Sequence, residues 1–226
     1  MTDQKTAILV FAQTAQREET TKSFRSAVPL FEILNQQTLE AVEKSKLPFF
    51  HFSERQQIGK TFGERFINAI QQVYDQGFDN VITIGNDTPH LTAAHLKKTA
   101  QQLQEKQAVL GPSQDGGFYL MGLHRSQFNA ELFLKLPWQT SRVATGVLKL
   151  WSDKKIQVIL LEKLHDIDHF TDFKKLIDGF RRLSKKVVKL YYHSVQAISI
   201  GVARNTPFFT SFQKETYFNK GSPRLL

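Results

Sequence analysis

Val109 to Leu123 reads VLGPSQDGGFYLMGL, two short apolar runs separated by Ser113-Gln114-Asp115-Gly116-Gly117. The pattern predicts a strand, a tight glycine turn carrying one carboxylate, and a second strand, an arrangement that brings backbone close to a ligand. Upstream, Asn80 to Leu91 reads NVITIGNDTPHL, an apolar strand running into Gly85-Asn86-Asp87-Thr88-Pro89. Asp87 is therefore expected just beyond the carboxyl end of a parallel strand, where open α/β sheets bind ligands. Two carboxylate-bearing loops at strand ends point to a metal and phosphate site.

Working outward, strand and helix patterns alternate. Ala7 to Ala12 is a continuous apolar run of the kind a doubly buried parallel strand requires. Gln13 to Phe24 reads as a polar loop, and Ser26 to Lys46 as a helix carrying Leu30, Ile33, Leu34, Ala41 and Val42. A short aromatic strand, Phe49 to Phe52, follows Pro48. Thr61-Phe62-Gly63-Glu64 has capping-box spacing ahead of Phe66, Ala69, Ile70 and Val73 at helical intervals. A strand at Val81 to Ile84, a helix begun by Thr92, a helix from Ser141 to Trp151 and a strand from Ile156 to Leu161 are also expected. Asp166-Ile167-Asp168 then opens a helix with an apolar stripe running to Leu183. From Val187 onward the period does not separate helix from strand, and Arg204 to Leu226 reads as an irregular basic tail. The expectation is one domain over residues 1–203, a mostly parallel sheet with helices on both faces.

Composition narrows the function. With 41% hydrophobic and 23% charged residues the chain is that of an ordinary globular protein, long enough for one well-buried domain. It has no apolar run approaching the roughly eighteen residues of a membrane span and no secretory signal, so the cytoplasm is the expected compartment. The absence of Cys excludes disulfides, thiolate zinc sites and thiol nucleophiles. A net charge of +9 favours anionic ligands. Much of the excess lies in Arg181, Arg182, Lys185, Lys186, Lys189, Lys214, Lys220 and Arg224, without aromatic interleaving of any nucleic-acid-binding module, so a solvated cationic surface is preferred to nucleic-acid binding.

Each candidate residue has a rival explanation. Asp87 suits a hard cation such as Mg²⁺, which takes one or two carboxylates alongside phosphates and water, yet Asp-Thr-Pro also makes an Asx-type turn. Asp115 with Gly116 and Gly117 is either a ligand loop or a plain hairpin turn. Asp168 could complete a metal site or cap the following helix, where Asp172 would favour the dipole. Arg65, in the first turn of its helix, could meet an anion there or be simply exposed. No H-E-x-x-H, G-x-S-x-G, G-x-x-x-x-G-K-S/T or G-x-G-x-x-G sequence is present, which disfavours zinc hydrolases, serine hydrolases, Walker NTPases and dinucleotide dehydrogenases.

These residues, taken in order, resemble the radical-SAM/selenodomain-associated transferases of the GT-A-like nucleotide-diphospho-sugar transferase superfamily. The resemblance runs from about Ala7 to Ile177. It rests on Q-x-G-x-x-F-G-E-R at Gln57 to Arg65, I-G-N-D-T-P-H-L at Ile84 to Leu91, the block at Val109 to Leu123, Pro137-Trp138, and D-I-D at Asp166 to Asp168. It implies a GT-A-like three-layer α/β/α sandwich, with Asp87 at the position that meets a divalent cation and Asp115 in the loop beside the substrate. One segment departs from the family. Members usually carry F-A-K-x-P-x-x-G-x-x-K-T-R-L after strand one, whereas Phe11 to Phe24 reads FAQTAQREETTKSF. Arg17, Lys22 and Arg25 then supply positive charge from shifted positions, with Glu18 and Glu19 beside them.

The expected function is a metal-dependent transferase using a nucleotide-activated donor, by glycosyl transfer from a nucleoside diphosphate sugar or nucleotidyl transfer from an NTP. Asp87 and Asp168 are expected to hold Mg²⁺ or Mn²⁺. Asp115 is the catalytic candidate, orienting the acceptor or acting as base. Lys22, Arg25, Arg65, Gly116 and Gly117 are the nucleotide or phosphate candidates. The alternative is a catalytically silent GT-A-like binding domain. The acceptor is unspecified, and an oligomer is compatible with the sequence.

Overall fold

The computed structural model describes residues 4–22 and 28–167. Arg25, Asp168, the helix expected after it and the 204–226 tail lie outside the described residues. In chain order the elements are β1 (Thr6–Phe11), α1 (Ala15–Lys22), α2 (Val28–Ser45), β2 (Phe49–Phe52), α3 (Phe62–Asp75), β3 (Asn80–Ile84), α4 (Ala93–Gln104), β4 (Ala108–Pro112), β5 (Phe118–His124), α5 (Ala130–Leu134), α6 (Val143–Asp153) and β6 (Val158–Leu160). A 3₁₀ turn, Arg125–Gln127, follows β5.

The strands form one sheet in the order β2-β1-β3-β5-β4-β6. β1 pairs in parallel with β2 and β3, and β4 with β6, while β5 runs antiparallel to both β3 and β4. The expectation of a mostly parallel sheet holds, and the one reversed strand is the second arm of the hairpin read from Val109 to Leu123.

Alternation along β1 builds both cores. Ala7, Leu9 and Phe11 join Phe66, Ile70, Phe133, Val147 and Trp151 on one face. Ile8 and Val10 join Val42, Leu96 and Leu103 on the other. Successive strand residues point to opposite faces, so a strand apolar at every position must be covered twice. Full burial of each Ile, Leu or Phe side chain contributes about 1.5–3 kcal/mol. The result is the expected α/β/α sandwich.

Two local signals are realised in detail. Thr61 caps α3 by accepting from the Glu64 N–H, while the Glu64 carboxylate accepts from the Thr61 N–H, closing the capping box. Thr92 caps α4 with His95 in the reciprocal position.

One reading is corrected. Gln13 to Phe24 is not wholly a polar loop, because α1 occupies Ala15–Lys22. Its Gln, Arg and Glu residues are good helix formers, and it packs against α2 with Ala15 and Glu18 buried. Among the described residues no helix is long and apolar enough to cross a membrane.

Candidate functional site

The carboxyl ends of β3 and β4 lie at the same edge of the sheet, with the start of β5 between them. Asp87, three residues past β3, and Asp115, in the β4–β5 turn, therefore share that edge.

The Asp115 turn is rigidly built. Ser113 N donates to Gly117 O at 2.9 Å and Gly116 N to Ser113 O at 3.3 Å. Asp115 Oδ1 accepts from Ser113 Oγ at 2.5 Å and from Gly117 N at 2.9 Å. Its other oxygen, Oδ2, is buried and has no hydrogen-bond partner among the described residues. Buried carboxylate oxygens are normally satisfied by a donor group or a cation. Gly116 has φ +91°, and a Cβ there would sit 1.9 Å from Ser141 O. Ala144 N closes the contact by donating to Gly116 O at 3.1 Å. The N–H groups of both glycines, which the sequence offered to a phosphate, are thus spent inside the turn.

The Asp87 loop is held from several directions. Asn86 Nδ2 donates to Gln13 O at 3.3 Å and to Asn35 Oδ1 at 2.5 Å, tying the loop to the end of β1 and to α2. Thr88 Oγ1 donates to Asp166 Oδ1 at 2.5 Å.

A strap formed by Leu164 to Ile167 joins the two turns. Leu164 N donates to Pro112 O at 3.2 Å and Gln114 N to Leu164 O at 3.0 Å, beside Asp115. Three residues on, Ile167 N donates to Asp87 O at 2.9 Å. Asp166 is engaged by Thr88, and Asp168, next in sequence after Ile167, lies outside the described residues.

Of the cationic candidates, Arg65 has a described side chain. Arg65 stands half-buried in the first turn of α3, with Nη1 donating to Lys60 O at 3.3 Å. Its helix reaches the Asp115 hairpin through aromatic rings: Trp138 packs on Phe62 at 5.6 Å and Phe118 at 6.2 Å between centroids. Lys22 closes α1, but its side chain, like Arg25, is outside the description.

The loop after β1 carries an unexpected acidic partner. Glu54 accepts from Thr14 N at 2.8 Å and from Thr14 Oγ1 at 2.9 Å. Partial burial pushes Glu54 up, and the hydrogen bonds from Thr14 and its own backbone outweigh this, holding it below the usual glutamate range. Alongside lies a cavity of about 650 Å³ between α1, α2 and β2, bordered by Gln13, Thr14, Glu32, Asn35, Glu43 and His51. Burial pushes His51 down, so that wall favours its neutral form.

Sequence reasoning missed Ser113, Asn86, Thr88 and Glu54. The first three sit inside the quoted motifs, as small polar residues bracketing each acidic residue. Glu54 had no local signal, because its partner is 40 residues away.

Comparison with known proteins places the fold. A Desulfovibrio desulfuricans G20 protein assigned, by name alone, to the nucleotide-diphospho-sugar transferases superposes with a TM-score of 0.68 at 22% identity, covering 86% of this chain and 98% of its own. The manganese complex of Rv0371C from Mycobacterium tuberculosis H37Rv superposes at a TM-score of 0.44 with 13% identity, over 78% of this chain and 100% of its own. The 4-diphosphocytidyl-2C-methyl-D-erythritol synthase of Anaerococcus prevotii DSM 20548 gives 0.47 with 8% identity, over 86% and 99%. No curated protein matches the sequence. Residues 12–140, from the loop after β1 to the Pro137-Trp138 corner, match the family described as "Uncharacterized protein conserved in bacteria (DUF2064)", and the chain belongs to that family.

Proposed function

We propose that the edge carrying Asp87 and Asp115 is the active site of a metal-dependent transferase with a nucleotide-activated donor. The observation that carries this is the Leu164–Ile167 strap, hydrogen-bonded to both acidic turns while Asp115 Oδ2 has no hydrogen-bond partner among the described residues. The shared fold with the Desulfovibrio protein and the resemblance to radical-SAM/selenodomain-associated transferases support the same reading. The reaction is glycosyl transfer from a nucleoside diphosphate sugar or nucleotidyl transfer from an NTP, in the cytoplasm.

The donor set fits a hard divalent ion. Asp87 and Asp168 offer carboxylate oxygens of the kind Mg²⁺ or Mn²⁺ takes. An ion held by one or two carboxylates takes its remaining ligands from phosphate oxygens and water. Such an ion would neutralise the charge that builds on the donor phosphates as the bond breaks. Asp115 is aimed by Ser113 and Gly117, so Oδ2 can accept the proton of an acceptor hydroxyl. Arg65, Lys22 and Arg25 are the proposed phosphate partners. Asn86 and Thr88 hold the Asp87 loop in position.

Calorimetric titration of a nucleotide donor with Mn²⁺ tests the assignment. Asp87→Ala should abolish metal-dependent binding with the fold retained, and an unchanged affinity would reject Asp87 as a ligand.

A second reading, a silent GT-A-like binding domain, is favoured by one observation. The loop where relatives place basic residues is clamped by Glu54 and flanked by a carboxylate-lined cavity. Thermal-shift screening of nucleotides and nucleotide sugars, with and without Mg²⁺ or Mn²⁺, separates the two. At a hundredfold excess over Kd the transferase reading expects a rise of roughly 5–10 °C that requires the metal. No response to any donor favours the silent domain.

A further inference from the structure

Past the Asp87 turn the chain runs from Thr88 to Thr92 and enters α4, and the segment after β6 holds that stretch at both ends. At the near end Ile167 N donates to Asp87 O, and Thr88 Oγ1 to Asp166 Oδ1. At the far end the grip passes through His95. Thr92 N donates to His95 Nδ1 at 3.1 Å, and His95 Nε2 lies 2.9 Å from Glu162 Oε1. Glu162 is fixed in turn by Tyr119, whose hydroxyl donates to Glu162 O at 3.0 Å and whose ring stands edge-on to the imidazole.

A backbone N–H can only donate, so Nδ1 carries no proton, and the ring proton sits on Nε2, where it bonds the carboxylate. The bridge therefore requires the neutral imidazole. A second proton would occupy Nδ1 and set two donors against each other at Thr92, with a positive charge at a helix N-terminus that disfavours it. The same proton would strengthen the bond to Glu162. Glu and Gln, the usual residues at this place in a capping box, have no such response near neutral pH, whereas histidine changes charge there. Among the described residues the titratable and charged groups around His95 are Glu162 from the segment after β6, Tyr119 from β5, Lys98 one turn along α4, and His90 from the loop. Burial first, and then the charge of Glu162, push the Tyr119 hydroxyl up, so it stays a donor.

We propose that His95 is a proton-dependent positioning residue for the Asp87–Thr92 loop. Neutral, it ties Thr92 to Glu162; protonated, it keeps Glu162 and releases Thr92, loosening the entry into α4. The proposal rests on the transferase reading only for what the loop serves.

The test is NMR of the full-length ¹⁵N-labelled chain. At about pH 8 the His95 ring nitrogens should report the Nε2–H form, with the Thr92 amide protected from exchange. Between about pH 8 and pH 5 the ring should take up its second proton, and Thr92 exchange, corrected for intrinsic rate, should quicken about fivefold, the loss of one cap. His95→Gln keeps a capping-box side chain and should give Thr92 the same protection throughout. An Nδ1–H ring at the upper pH, read on the unsubstituted chain, would overturn the proposal. So would Thr92 exchange that ignores pH, or a pH response that survives His95→Gln, which would belong to His90 instead. These readouts need neither donor nor metal, so their failure leaves the transferase reading as it was, and failure of that reading leaves them standing.

Discussion

The Gln57–Arg65 segment and the two acidic turns belong to the same set of motifs, yet they use their polar groups in opposite ways. In the first, the architecture consumes nearly every group. Gln57 Nε2 donates to Ala12 O at 3.0 Å and Phe52 O at 3.1 Å, stitching β1 to β2. Glu64 accepts from Lys60 N and Thr61 N. Gly63 makes room for Trp138, whose Cδ1 would lie 2.5 Å from a Cβ at that position. In the second, Ser113, Gly117, Asn86 and Thr88 are spent on holding the turns, and one carboxylate oxygen of Asp115 is left without a partner among the described residues. A motif whose polar groups all bond inward is scaffold, whereas an unspent group points to a ligand.

The largest effect expected from this contrast is that of Gly116→Ala. A side chain at φ +91° against Ser141 O should cost roughly 2–6 kcal/mol, from the left-handed backbone and the overpacking together. Urea unfolding measures it, and a loss under about 1 kcal/mol would show that the turn and α6 are not locked together. Asp115→Asn sharpens the division from the other side. Oδ1 keeps its two donors, so stability should change by no more than about 1 kcal/mol while transfer falls about a hundredfold. Destabilisation with full activity would put Asp115 among the scaffold residues.

Thr61→Ala should act on the scaffold alone, costing about 1 kcal/mol, or roughly 2–4 °C in Tm, with donor affinity unchanged. The smallest effect concerns Glu54. Its carboxyl is held below the ordinary range in the folded chain, so the stability it lends is present above the unfolded glutamate value and is lost as pH falls through the folded one. Amide exchange at Thr14, corrected for intrinsic rate, should speed up over that acidic window, and Glu54→Gln should remove the pH dependence.

What the sequence made legible was local. The Thr61–Glu64 box, the glycine hairpin and the position of Asp87 after its strand each depend on residues within a few positions of one another. α1 escaped because Gln16 to Lys22 carries no apolar stripe, and periodicity reports a helix only where one face is buried. The insertion of β5 between β3 and β4 also escaped, since hairpin spacing fixes a partner on one side only. The union of the two turns by Leu164 to Ile167 joins residues far apart in sequence, as Thr88 and Asp166 are, 78 positions from each other. No window along the chain contains such a contact.

The Ile167 amide bonded to Asp87 O gives the protein a built-in reporter. An occupant that draws the Asp87 loop inward has to stretch or tighten that single bond, and hydrogen exchange at one backbone position would register the event. Occupancy could thus be followed before any product or acceptor is known, in an assay that asks only whether a proton has become harder to replace.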